Sequence, residues 1–75
     1  MLKEANTYYT TDPKEAVEVG FKQYSYKWEH IMGMTSGMHS IFCSSKSDLI
    51  KLINCWNRDN LALPADDRWH YSLIN

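Results

Sequence analysis

The sequence predicts a small α+β domain, in which an antiparallel sheet carries two helices on one face. Local signals alternate in the order strand, helix, strand, turn, strand, helix, strand within 75 residues. Both predicted helices begin with a capping motif, and a short glycine-containing turn separates the two central strands. A chain of this length buries roughly 60% of the surface exposed by its unfolded form. We therefore expect one core and a single domain over residues 1–75.

The first strand and first helix are predicted from the N-terminal third of the chain. Residues 6–10 contain two tyrosines and favour a short strand. Asp12 can cap free backbone amides, and the proline after it suits a first helical position, so a helix is predicted from Pro13 to about Tyr24. Its apolar face comprises Ala16, Val17, Phe21 and Tyr24. Gly20 lies within that face and predicts close approach of the helix backbone to the layer beneath it.

A central hairpin is predicted over residues 26–44, with its turn at residues 35–37. If Met34 opposes Met38, the aromatic and methionine side chains share one face, which is expected to form the core. That face carries Tyr26, Trp28, His30, Met32, Met34, Met38, Ser40 and Phe42. The opposite face, expected to be exposed, carries Lys27, Glu29, Ile31, His39, Ile41 and Cys43. A one-residue shift in register would exchange the relation between the two strands.

The second helix and last strand are predicted from the C-terminal part. Ser45 and Asp48 form an acidic capping box, and the helix is expected to end near Arg58. The apolar residues at helical spacing are Leu49, Leu52, Ile53 and Trp56. Residues 62–67 contain proline and predict a loop. Residues 68–74 alternate, which predicts a final strand. The side chains on one side of it are Trp69, Tyr71 and Leu73.

This order of elements resembles the ferredoxin-like βαββαβ architecture over nearly the whole chain. The resemblance is one of topology, because no family motif accompanies it. Residues 38–44 lack the Gly-rich aromatic signature of RNA-recognition motifs, so the base-stacking residues of that family are not carried over. No family is assigned.

The sequence predicts a non-enzymatic protein without a cofactor or metal. It contains no phosphate loop, dinucleotide fingerprint or nucleophile motif with the required spacing. His30, His39, His70 and Cys43 are of zinc-ligand type, but none stand at the short intervals typical of structural zinc. Cys43 and Cys55 lack a CxxC arrangement and are expected to remain free thiols in a reducing compartment.

Net charge and hydropathy limit the classes of partner that the sequence predicts. The formal net charge of −1 provides no long-range field to attract phosphate, so nucleic acid is disfavoured. No stretch approaches the roughly 20 apolar residues that span a bilayer, and the first residues lack the apolar core of a signal peptide. We expect a cytoplasmic protein with no membrane partner.

The leading hypothesis is a small protein–protein interaction module that acts as an inhibitor, adaptor or regulator. An excess of Trp, Tyr and Met supplies the residue types that anchor interfaces. Small accessory proteins of phages and mobile elements, which block host proteins, have a similar size and a similar lack of motifs. The residues expected to contact the partner are Lys27, Glu29, His39, Ile41, Asp66, Asp67 and Arg68.

Two alternatives remain open at the level of sequence. The first is a nucleic-acid-binding module, in which sheet aromatics stack on bases and basic residues touch phosphate. Its stacking candidates are Tyr26, Trp28, Phe42 and Trp69, and its phosphate contacts are Lys27, Arg58 and Arg68. The second is a homodimer that binds a small ligand across exposed strands.

Overall fold

The computed structural model describes residues 1–33 and 35–74, and within them it contains five strands and two α-helices. In chain order these are β1 (Leu2–Glu4), β2 (Thr7–Thr10), α1 (Pro13–Val19), β3 (Lys22–His30), β4 (Ser36–Cys43), α2 (Lys46–Asn60) and β5 (Trp69–Leu73). A 3-10 turn at Ala65–Asp67 precedes β5. The strands form one antiparallel sheet in the order β1-β2-β4-β3-β5. The predicted α+β class is confirmed.

The sheet places its last strand at the edge far from β2. After β1, the elements follow the predicted βαββαβ order, but β5 pairs with β3, with Trp28 opposite Tyr71. In a ferredoxin-like sheet the last strand lies beside the first, so that strand order is not confirmed. Here β1 already occupies the outer edge of β2. The nine-residue strand β3 therefore offers the free edge that β5 can extend.

The N-terminal hairpin was not predicted. Glu4 lies opposite Thr7, so only Ala5 and Asn6 connect β1 to β2. Both connecting residues have positive φ, 52° and 59°, as a tight two-residue hairpin turn requires. Neither is glycine, and the usual Asn-Gly or Asp-Gly signal is missing from the sequence. The strand predicted over residues 6–10 begins at Thr7.

Helix α1 begins where predicted but ends at Val19, so its predicted extension to Tyr24 is wrong. Gly20 has a φ of 77° and forms a left-handed C-cap. Its predicted role in close packing is also wrong, because a Cβ added there would meet no atom within 4 Å. Val17, predicted to be buried, is 81% exposed. The chain instead enters β3 two residues after Gly20, earlier than expected.

The register of the central hairpin differs by seven residues from the predicted one. The turn predicted at residues 35–37 is wrong, because β3 already ends at His30 and β4 begins at Ser36. Tyr26 lies opposite His39 and Trp28 opposite Gly37, so the β4 side chains expected on the two faces are exchanged. His39, Ile41 and Cys43 share the face of Tyr26 and Trp28, whereas Met38, Ser40 and Phe42 share the face of Lys27 and Glu29. The predicted opposition of Met34 and Met38 involves Met34, which lies outside the described residues. This register buries Ile41 and Cys43 and leaves Met38 70% exposed.

Helix α2 covers the core face of the sheet. Ser45 accepts a hydrogen bond from the Asp48 amide at 3.3 Å, as the capping box predicts, and the helix ends at Asn60 rather than Arg58. Its buried residues Leu49, Leu52 and Ile53 pack with Ile41 and Cys43. Partly buried side chains complete the cluster: Tyr9, Tyr24, Tyr26, Trp56, Tyr71 and Leu73. Helix α1 packs against β2 and β4 and adds none of its residues to this cluster.

The last strand lies where the alternation predicts it, and its Tyr71 and Leu73 pack against the core cluster. The predicted loop before it contains the 3-10 turn. Neither helix among the described residues is long and apolar enough to cross a membrane.

Candidate functional site

The aromatic side chains of the core face extend beyond the area that α2 covers. Trp56 of α2 packs against Tyr9, Tyr26 and Tyr71, with ring centroids 5.4 to 5.9 Å apart. Closer to the β3–β4 turn, a cavity of about 280 Å³ is lined by sheet residues only. We call it the aromatic cavity. Its lining residues are Tyr26, Trp28, His39, Trp69 and Tyr71.

The strand register brings these rings together. Alternate residues of a strand face the same side, and the pairing of β3 with β5 puts Trp28 opposite Tyr71 and His30 opposite Trp69. The rings of Trp28 and Trp69 lie 5.2 Å apart at 70°, and Trp28 stacks on His39 at 5.5 Å and 25°. The cavity therefore has aromatic surfaces in two nearly perpendicular orientations.

Gly37 makes room for the ring of Trp28. A Cβ at Gly37 would lie 2.5 Å from Cζ2 and 2.8 Å from Cε2 of that indole, so the ring lies across the glycine. The indole nitrogen of Trp28 is shielded from solvent and has no hydrogen-bond partner among the described residues. The position of Trp28 is therefore set by packing against Gly37, His39 and Trp69 and not by a polar contact.

The outer edge of β5 is closed by two asparagines of α2. The Asn57 amide donates to the Tyr71 carbonyl at 2.8 Å, and its oxygen accepts from the Tyr71 N–H at 2.7 Å. Asn60 accepts from the Trp69 N–H at 2.9 Å. These side chains replace a neighbouring strand for the backbone of both cavity residues. A partner at this site consequently meets side chains instead of a free strand edge.

Two acidic residues lie on the loop beside the cavity, and the exposed Arg58 lines a second depression that shares Trp69. Asp66 and Asp67 are exposed, precede Trp69 closely, and form no salt bridge within residues 1–33 and 35–74. The Asp66 carbonyl accepts a hydrogen bond from His30 Nε2, and the His30 ring lies 5.0 Å from that of Trp69. Among the lining residues, His39 alone can carry a positive charge.

Arg68, predicted to contact a partner, is engaged within the fold. Its guanidinium donates to the carbonyls of Asn60, Leu61 and Leu63 at 3.2, 3.2 and 2.7 Å. These carbonyls lie at or just beyond the C-terminus of α2, where a positive charge is favourable. Arg68 therefore stabilises the helix end and the following loop.

The other predicted contact residues are divided between different surfaces. Lys27 and Glu29 lie on the sheet face opposite the cavity, with Nζ and Oε2 4.0 Å apart. Ile41 was predicted to be exposed, which is wrong, because it is 1% exposed beneath α2. Of the seven predicted residues, only His39 lines the cavity, and Asp66 and Asp67 lie near it.

Three of the residues that line the cavity are predicted from the sequence, but in other roles. Tyr26 and Trp28 are predicted as core residues and, with Trp69, as base-stacking candidates of the nucleic-acid alternative, whereas Tyr71 is not predicted to be functional. The alternation in β5 places Trp69 and Tyr71 on one side, and that signal could have joined them to the aromatics of β3.

The surroundings of both thiols raise their pKa. Burial raises the pKa of Cys43, which lies in the core. Cys55 lies 3.7 Å from Glu4 Oε1 and 4.0 Å from Asp59 Oδ2. Desolvation, followed by the charges of Asp59 and Glu4, raises the pKa of the Cys55 thiol. Glu4, Cys55 and Asp59 have metal-ligand residue types, and the raised pKa of the free Cys55 thiol disfavours the thiolate that attacks substrates.

Comparison with known proteins reveals no relative. The chain matches no protein-family model, no curated protein and no solved structure. The function is therefore argued from the geometry and chemistry of the cavity.

Proposed function

We propose that this chain is a small non-enzymatic module that binds another protein through the aromatic cavity and acts as an inhibitor, adaptor or regulator. The observation that carries the proposal is the group of four partly exposed Trp and Tyr rings that line one cavity; two of them, Tyr26 and Tyr71, also contact Trp56 of α2. Such side chains supply large contact areas with few rotatable bonds and are enriched among residues that dominate binding energy. The raised pKa of both thiols supports a role other than nucleophilic catalysis.

The surface around the cavity supports the same proposal. Trp69 also lines a second depression, of about 320 Å³, between the C-terminal part of α2 and β5. That depression includes Ile31 and Leu61, which are 49% and 68% exposed. The two depressions meet at Trp69, so a partner that contacts both would cover this tryptophan at its centre. Central, desolvated aromatic residues are the usual anchors of protein interfaces.

The experiment is affinity capture from a lysate of the encoding organism, with and without nuclease, followed by mass spectrometry. The wild type is compared with Trp69→Leu, which removes the shared aromatic ring, and with Tyr8→Leu. Tyr8 is 51% exposed on the opposite sheet face and provides a matched aromatic control. Circular dichroism establishes that both variants are folded.

We expect one stoichiometric protein that survives nuclease, is captured by wild type and Tyr8→Leu, and is lost with Trp69→Leu. Capture that is unchanged in folded Trp69→Leu, or lost equally in both variants, would contradict binding through the cavity.

A nucleic-acid-binding function is the second candidate, because Trp28 and Trp69 are partly exposed aromatic rings on which a base could stack. The positions of the basic side chains favour this function less than protein binding. Lys27 lies on the opposite face, and Arg68 is bonded to backbone carbonyls. Recovery of nuclease-sensitive material alone, weakened steeply by salt, would support this candidate against the first.

A further inference from the structure

The aromatic cavity has the features of a site for an organic cation. Cations bind over the faces of Trp and Tyr rings, within about 6 Å of the ring centroid. The Trp28 and Trp69 centroids are 5.2 Å apart and their planes meet at 70°. Rings at this distance and angle are in edge-to-face contact, and a cation in the corner that they form can lie within range of both. Tyr26 and Tyr71 extend the aromatic lining on the side of α2.

The charges near the cavity favour the same class of ligand. Asp66 and Asp67 are exposed and have no salt-bridge partner in the described part of the chain. The loop that carries them lies beside the cavity, because the Asp66 backbone carbonyl accepts a hydrogen bond from His30, whose ring lies 5.0 Å from that of Trp69. Among the described residues, no lysine or arginine side chain lines the cavity. An anionic ligand would thus meet acidic neighbours, whereas a cationic ligand would meet complementary charge.

We propose that the aromatic cavity binds the guanidinium group of an arginine side chain of the partner protein; this inference rests on the proposed function. Arginine is planar, stacks on aromatic faces, and is more weakly hydrated than lysine, so it loses less on entering an aromatic site. A volume of about 280 Å³ lies just below the range of about 300–1,000 Å³ that is typical of ligand pockets. It suits the end of one side chain, and the remainder of the partner would contact the surface around Trp69.

The test uses small probes and does not require the partner. N-acetyl-arginine amide is titrated against N-acetyl-citrulline amide, a neutral probe of nearly the same shape. The indole N–H resonances of isotope-labelled protein are followed by NMR. Trp28 and Trp69 line the cavity, whereas the Trp56 indole donates to Glu4 Oε2 at 2.8 Å and provides an internal control.

We expect the arginine probe to shift the Trp28 and Trp69 resonances, to leave Trp56 unchanged, and to bind about threefold to tenfold more tightly than the citrulline probe. Trp69→Leu should abolish this preference. Trp69→Phe, which retains a ring, should retain part of it and serves if the leucine variant does not fold. Replacing Asp66 and Asp67 together by asparagine should weaken the arginine probe alone, while the exposed control Glu18→Gln should have no effect.

Equal binding of the two probes, or equal shifts of all three indoles, would overturn the inference. So would a short single-stranded oligonucleotide that shifts Trp28 and Trp69 while the arginine probe shifts neither. These results are separable from failure of the proposed function. A partner captured through Trp69, with no preference for arginine over citrulline, would refute the ligand assignment and leave the interaction module supported. Selective binding of the arginine probe without a Trp69-dependent partner would refute the proposed function instead.

Discussion

Asn57→Ala is expected to destabilise the fold by opening the outer edge of β5. The Asn57 amide makes two short hydrogen bonds with the Tyr71 backbone, one as donor and one as acceptor. The variant removes both and leaves one N–H and one C=O on a strand that no other strand protects on that side. Because Tyr71 lines the aromatic cavity, the same change also loosens the site.

The expected magnitude follows from these two bonds. Each contributes about 0.5–1.5 kcal/mol net, so their loss corresponds to about 1–3 kcal/mol. Alanine favours the helix by about 0.5 kcal/mol relative to asparagine, which offsets part of the loss. Asn54→Ala provides the matched control, since Asn54 is exposed on the same helix and gains the same propensity. The difference between the two variants isolates the contribution of the bonds to Tyr71.

Urea and thermal unfolding, followed by circular dichroism, measure that difference. A loss of about 2 kcal/mol in the free energy of unfolding lowers the melting temperature of a domain of this size by about 8–16 °C. Asn57→Asp should also destabilise, because it keeps the acceptor but places a carboxylate against the Tyr71 carbonyl. If the free energies of unfolding of Asn57→Ala and Asn54→Ala differ by less than about 0.5 kcal/mol, Asn57 does not protect the outer edge of β5.

Three further predictions concern other parts of the fold. Gly37→Ala should destabilise by about 1–3 kcal/mol, because its Cβ would lie 2.5 Å from Cζ2 of Trp28; an unchanged urea midpoint would show that the ring is not held there. Ala5→Gly should stabilise by about 0.5–1 kcal/mol, because Ala5 has a φ of 52°; a lower melting temperature would contradict a left-handed turn at this position. Stability should fall at alkaline pH, because burial raises the pKa of Cys43 and of Tyr26 above 9.0 and 10.0, so the unfolded chain loses these protons first. The contribution of these two groups to the free energy of unfolding should be complete below those pH values and decline above them. In urea titrations at several pH values, Tyr26→Phe should reduce the fall in the free energy of unfolding above pH 10.0. Identical slopes in the two proteins would exclude a contribution from Tyr26.

Much of the secondary structure is determined by short-range chemistry. Asp12 and Ser45 cap their helices as the sequence predicts, because the hydrogen bonds involved join residues two or three positions apart. The apolar spacing of α2 likewise identifies its buried face before any tertiary contact is known. The alternation of residues 69–73 gives both a strand and the side on which its aromatic residues lie.

The limits of these local signals are visible at Gly20. A glycine within an apolar helical pattern is compatible with continuation or with a C-cap, and the pattern alone favoured continuation to Tyr24. The structure ends α1 at Val19, because Gly20 adopts a left-handed conformation and the chain turns into β3. Local helix propensity is weak at Asn57, and it gives no sign that this side chain bonds to a strand that is distant in sequence.

The tertiary structure decided the register, the strand order and therefore the site. The pairing of Trp28 with Gly37 depends on where the β3–β4 turn lies, and a shift of one residue moves His39, Ile41 and Cys43 to the other face. The position of β5 depends on which sheet edge remains free after β1 has paired with β2. The sequence by itself determined which residues could become helices, strands and aromatic anchors. Only long-range pairing gathered the anchors from β3, β4 and β5 into one cavity, because nothing in a local segment specifies the partner it will meet across the sheet.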